Sequence, residues 1–176
     1  MKNDYLPPIL VLSLICLVIS GALAFTNSFT EPVIEAAAKE RTEAAFAEMI
    51  PDAESFEILE ISGLPDSVSE VYKSSNDAGY IFITQISGYG GEIRIICGVS
   101  TDGRIIRSSV LEHTETKGLG SKIAEAPFAD QFIGMEKSRL TEVDAITGAT
   151  ISTNAYTSAI NDVLTAFSLV VASNNR

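Results

Sequence analysis

The 176-residue sequence has little with which to build a conventional active site: one histidine and two cysteines. That is too few ligands for a zinc site or an iron–sulfur cluster held by this chain alone. A Ser-His-Asp or Cys-His hydrolase would have to rest on His113. Cys16 lies in an apolar run and Cys97 has no partner outside it, so no disulfide framework is available and Cys97 reads as a buried small hydrophobe. Positive charge is also scarce. Twelve Lys and Arg face 23 Asp and Glu, a formal net charge of −11. Nucleic-acid binding needs a basic face and is excluded on that ground. Docking to an anionic membrane by charge is excluded likewise. What the chain does have is apolar residues, 46% of the total. At roughly 100–200 residues per domain, the length fits one soluble domain plus an appendage.

The appendage is N-terminal. No charged residue occurs between Tyr5 and Thr30, and Ile9 to Phe25 is almost wholly apolar. A membrane-spanning helix needs about 20 mostly apolar residues, and this stretch qualifies. Ala22-Leu23-Ala24 resembles a signal-peptidase site, but the apolar run exceeds a usual signal core of about 7–15 residues. An uncleaved anchor, residues 1–29, is therefore expected. The residues after it carry the whole negative charge, starting with Glu31 and Glu35. The expected orientation is a short cytoplasmic N-terminus and an exported domain.

Residues 30–52 read as a stalk helix continuing the anchor. Pro32 suits a first helical turn, Val33–Glu40 has high helix propensity, and Pro51-Asp52 ends the pattern. From residue 53 to 176 the pattern is that of one domain. Phe56–Ile61, Val68–Lys73, Tyr80–Ile86, Ile93–Val99 and Ile105–Leu111 read as strands. The Thr101-Asp102-Gly103-Arg104 turn between the last two marks a hairpin. Short helical pieces follow around Phe128 and Phe132, and a long helix over 152–172 closes the chain. The expected class is α+β: a mostly antiparallel sheet with flanking helices, preceded by one N-terminal transmembrane helix.

Two segments hold the candidate chemistry. Asp144–Asn154 contains Thr147, Thr150, Ser152 and Thr153 around Gly148 and Ala149, at the start of the long helix. Ser, Thr and Asn are ordinary N-cap residues, and composition alone favours that plain role. The same place offers unpaired N–H groups and partial positive charge to a phosphate. Spacing does not separate the two. The second segment, Leu111–Gly120, reads as a polar loop closed by glycines. A dyad of its His113 with Ser152 or Thr150 lacks any nucleophile-elbow context.

Asp144–Ser152, D-A-I-T-G-A-T-I-S, resembles the flavinylation motif D-x-x-[ST]-G-A-T-x-[ST] of FMN-binding domains. His113–Gly120, H-T-E-T-K-G-L-G, resembles the H-x-E-T-x-G-L-G motif of the same family. Gly88-Tyr89-Gly90-Gly91, the strand after it and the Asp102-Gly103 turn fit the same domain, in the family's order, over about residues 80–170. With one anchor, a stalk helix and small size, the chain is similar to the G subunits of Rnf electron-transport complexes. The related C subunits of sodium-pumping NADH:quinone reductases share the motifs on longer chains.

The resemblance implies a covalent FMN, joined by a separate flavin transferase through a phosphoester to Ser152. Ser stands there where Thr is commoner, which leaves Thr150 and Thr153 as other acceptors. Lys117 stands where the family usually has Pro. Thr147, Gly148, Ala149 and Thr150 would cradle the phosphate and ring, and Glu115, Thr116, Gly118 and Leu119 would form the opposite wall. Asp144 would be recognised during flavinylation or order the turn. The implied function is electron transfer in an ion-translocating ferredoxin:NAD oxidoreductase, beside other membrane subunits. The flavin domain would lie on the extracytoplasmic side of the cell membrane. This chain would have no complete active site of its own, no metal and no nucleic-acid partner. The alternatives are a stand-alone extracytoplasmic flavoprotein and a non-redox exported binding module.

Overall fold

The computed structural model describes the backbone of residues 6–174 and, within that span, the side chains of all but 6–8, 33–41, 43 and 174. The chain divides into two compact units, residues 1–41 and 42–176. A helix, α1 (Leu6–Met49), runs through most of the first and ends in the second.

In the first unit, Ile9–Pro32 is long and apolar enough to cross a membrane, and none of it is buried by the rest of the chain. The hydroxyls near its end turn inward on the helix: Thr26 Oγ1 donates to the Ala22 carbonyl at 2.9 Å, Ser28 Oγ to that of Phe25 at 2.8 Å, and Thr30 Oγ1 to that of Thr26 at 3.0 Å. In hydrocarbon, where no water is available as a partner, such internal satisfaction is required. Pro32 does not open a new helix as the sequence suggested. It lies inside α1, where its ring nitrogen cannot donate to the carbonyl of Ser28.

The second unit is built on a five-stranded antiparallel meander, ordered β1-β2-β3-β4-β5. The strands are β1 (Phe56–Ile58), β2 (Val68–Ser74), β3 (Tyr80–Ser87), β4 (Glu92–Val99) and β5 (Ile105–His113). The first is shorter than its sequence pattern suggested. Leu59 still donates its N–H to the Val71 carbonyl at 2.8 Å, and the side chains of Leu59, Ile61 and Leu64 then pack against the core. Both faces of the sheet are covered, so Tyr80–Thr84 and Ile95–Val99 are continuously buried rather than alternating. On one face sit Met49 and Ile50 from the end of α1, against Ile81 and Ile96. Gly98 permits this approach, since a Cβ there would stand 3.0 Å from the Met49 carbonyl oxygen.

The other face carries α3 (Thr150–Asn174), whose Tyr156, Ala159, Ile160, Val163 and Val170 are fully buried against Phe82, Ile93, Ile95, Cys97 and Val99. Each such aliphatic side chain contributes about 1.5–3 kcal/mol by leaving water. Burial also pushes the Cys97 thiol far above its usual range, so it behaves as the inert hydrophobe expected of it. The β4–β5 hairpin closes at the Asp102-Gly103 turn, where Gly103 takes φ +84° and leaves room for the Phe167 ring. Between β5 and α3 the chain makes short turns. Phe128 and Phe132, from α2 (Ala126–Ala129) and the 3-10 turn after it, hold the Tyr156 ring at 5.2 and 5.1 Å.

Candidate flavin site

Three loops meet at one end of the sheet: Gly88–Gly91 between β3 and β4, residues 114–120 after β5, and residues 146–149 leading into α3. Gly148 takes φ +82°, which turns the chain into the helix. The helix begins at Thr150, two residues earlier than the sequence pattern suggested. Ser152 is therefore inside the first turn and does not cap it. Instead Thr153 N–H donates to the Ala149 carbonyl at 2.9 Å, and Thr153 Oγ1 accepts the Ile146 N–H at 3.2 Å. The N–H groups of Thr150, Ile151 and Ser152 have no helical carbonyl four residues back.

The Thr153 hydroxyl is thus taken up by the loop before the helix, whereas the Ser152 hydroxyl has another partner. It donates to Glu115 Oε2 at 2.8 Å. Glu115 Oε1 in turn accepts the backbone N–H groups of Tyr89 at 2.7 Å and Gly90 at 3.2 Å. Ser152 is 1% exposed and Glu115 7%. Glycine is required on both sides of this carboxylate, because a Cβ at either Gly88 or Gly120 would overlap its oxygens. His113 does not pair with Ser152; its Nδ1 accepts the Glu115 N–H at 3.2 Å.

Next to this contact lies a hollow of about 420 Å³, lined by Tyr89, Glu115, Thr116, Leu119, Gly120, Gly148, Ala149, Thr150, Ile151 and Ser152. Its volume is in the range of small-molecule sites, about 300–1,000 Å³. Polar groups converge on its floor, at Ser152 and the start of α3, where a phosphate is favoured. Its rim is apolar: Tyr89, Ile151 and Leu119 are 70%, 55% and 47% exposed.

Of the residues singled out from sequence, Glu115, Thr116, Leu119, Gly148, Ala149, Thr150 and Ser152 come together in this hollow. Thr147 is exposed outside the lining, and Thr153 is buried with its hydroxyl on the Ile146 N–H. Gly118 takes φ +79° in the loop behind, with its N–H bonded to Ser121 Oγ at 2.9 Å. The Asp144 backbone is clamped by the Gln131 side chain, which accepts its N–H at 2.8 Å. Tyr89, Gly120 and Ile151 were not singled out. The glycine cluster around Tyr89 was the available signal for the first, and Gly120 ends the H-x-E-T-x-G-L-G loop. Ile151 became legible only once the helix start was placed. Among the described residues no group of acidic, histidine and cysteine side chains could hold a metal.

Residues 88–165 match the FMN-binding domain family, which brackets all three loops of the hollow. Over longer spans the chain is similar to the G subunits of ion-translocating complexes. It is 34% identical to that of the Na(+)-translocating ferredoxin:NAD(+) oxidoreductase complex of Acetobacterium woodii, covering 86% of both chains. It is 32% identical to that of the ion-translocating oxidoreductase complex of Methanosarcina acetivorans, covering 89% of this chain and 90% of that one. The G subunit of the proton-translocating ferredoxin:NAD(+) oxidoreductase complex of Clostridium ljungdahlii is 26% identical, over 87% of this chain and 86% of its own. The chain belongs to the G-subunit family of ion-translocating oxidoreductase complexes and carries that family's FMN-binding domain.

Proposed function

We propose that the chain is the membrane-anchored electron-transfer subunit of an Rnf-type ferredoxin:NAD oxidoreductase, and that it carries FMN as a phosphoester on Ser152. The observation that supports this most directly is the position of the Ser152 hydroxyl. Ser152 lines a hollow of cofactor size at a helix N-terminus, inside the segment that matches FMN-binding domains, and its hydroxyl lies on the Glu115 carboxylate there.

The residues fit the group. Ser152 would offer the attachment oxygen, and the N–H groups of Thr150 and Ile151, which have no helical carbonyl partner, would be available to the phosphate. Gly148 and Ala149 keep that approach free of bulk, and Thr150 adds a hydroxyl. Tyr89, Leu119 and Ile151 give an apolar border suited to an aromatic ring. Flavin supplies the redox chemistry when bound, and the protein supplies binding, orientation and a tether. Other membrane subunits and a flavin transferase are the partners this reading requires. An extracytoplasmic flavin domain is part of this reading, with Lys2 and the α-amino group as the basic flank on the cytoplasmic side. The complexes of two named relatives differ in the ion they translocate, Na(+) in one case and protons in the other.

The test is the intact mass of the denatured protein after coexpression with a flavin transferase, with peptide mapping of residues 140–160. The expected result is a gain of one FMN less one water on the Ser152 peptide. Its absence, with the transferase proven active on a control, overturns the covalent assignment. Copurification of multispanning subunits in mild detergent is expected of the complex, and its absence favours a stand-alone carrier.

A further inference from the structure

Glu115 is the one acidic or basic side chain that is buried among the described residues. Its carboxylate is satisfied by two backbone N–H groups and the Ser152 hydroxyl, and none of the described ion pairs includes it. A buried charge without a counter-ion is costly. Bridging the two loops does not require it, since an amide could accept from the N–H groups and donate to the hydroxyl. What a carboxylate adds is the capacity to accept a proton. Its geometry suits that role: Oε2 is 2.8 Å from the hydroxyl, within reach of a general base, and Oε1 is held in place by Tyr89 and Gly90.

We infer that Glu115 is the base that takes the Ser152 proton when the flavin is attached, so that the chain supplies part of the chemistry of its own modification. This rests on the covalent reading above. Ser152 Oγ attacks the phosphorus of an activated FMN donor, a phosphoanhydride presented by the transferase. The Oγ–P bond forms as the anhydride P–O bond breaks, its electron pair leaving with the departing phosphate. The hydroxyl proton passes to Glu115 Oε2, and the flavin is neither oxidised nor reduced. Glu115 is thereby neutral at the moment a phosphodiester anion forms beside it, which removes a like-charge contact.

The test follows flavin attachment to the full-length chain in detergent, with purified transferase and donor, by mass. Glu115→Gln is expected to slow attachment by about a hundredfold or more, the range of general base catalysis, with KM for the acceptor chain and the thermal midpoint nearly unchanged. Glu115→Ala is expected to be equally slow and to recover in formate, but not in chloride of equal ionic strength. If Glu115→Gln does not fold, the formate arm decides. Wild-type rates in both variants, or slow attachment that formate does not rescue, overturn the inference and leave the covalent reading standing. An unmodified wild-type chain overturns both.

Discussion

Ser152 and Thr153 are neighbours in one helical turn, both buried and both hydroxyl-bearing, yet they serve different ends. Thr153 looks back along its own chain and holds the Ile146 N–H. Ser152 looks across 37 residues of sequence to Glu115 and forms part of the wall of the hollow. Successive residues on a helix point about 100° apart, so when one holds the preceding loop, the next faces elsewhere. A structural role and a binding role are therefore not rival accounts of this segment. They are divided between adjacent side chains.

The largest effect expected from breaking that division is Ser152→Ala. Covalent flavin should disappear, read as loss of flavin absorbance from the denatured protein, while the folded domain remains. Retention of flavin through denaturation would move the attachment to Thr150 or Thr153. Next comes Gly120→Ala, whose Cβ would enter the space of the Glu115 and Ser152 oxygens. It should lower stability in urea by about 1–3 kcal/mol, the usual range for overpacking, and slow flavin attachment as well. Thr153→Ala should show the opposite balance. Losing the bond to Ile146 N–H costs about 1 kcal/mol, as for an ordinary intramolecular hydrogen bond, while the Ser152 peptide still gains its flavin mass. If Thr153→Ala abolishes attachment without loss of stability, the proposed division between the two hydroxyls is wrong.

Why this division was invisible in sequence follows from where its cause lies. The apolar runs of β2 to β5, the Asp102-Gly103 turn and the periodicity of α3 are local patterns, and each marks its element to within two residues or so. The start of α3 is marked by Gly148 and by the Ile146 N–H donating to Thr153 Oγ1, and either hydroxyl could have capped on composition alone. The partner that decides for Ser152 is Glu115, which only the folded sheet brings near. The two long apolar helices make the same point. Ile9–Pro32 and Thr150–Ser173 both pass a membrane-span test by composition, but the first is 0% buried within the chain and the second 44%. Polar residues recur along α3 at Asn154, Thr157, Ser158, Asn161, Thr165 and Ser168, and none of them is buried. Ile9 to Phe25 has no such series, and that contrast is legible in the residues alone.

The smallest expected effect is the sharpest control. Thr150 is exposed, lies in the same hollow two residues before Ser152, and is the remaining hydroxyl of the motif's Gly-Ala-Thr core. As the first residue of α3 it neither closes the turn, as Thr153 does, nor touches Glu115. Alanine is a better helix former than threonine, so Thr150→Ala should change stability by no more than about 0.5 kcal/mol, the range of exposed substitutions. Flavin should still attach to Ser152, at a rate reduced only by one lost hydrogen bond to the phosphate. A full loss of attachment in this variant, with the fold intact by thermal melting, would mean that Thr150 rather than Ser152 carries the ester. The Ser152–Glu115 contact would then be a structural brace between two loops, and the contrast between the neighbouring hydroxyls would collapse.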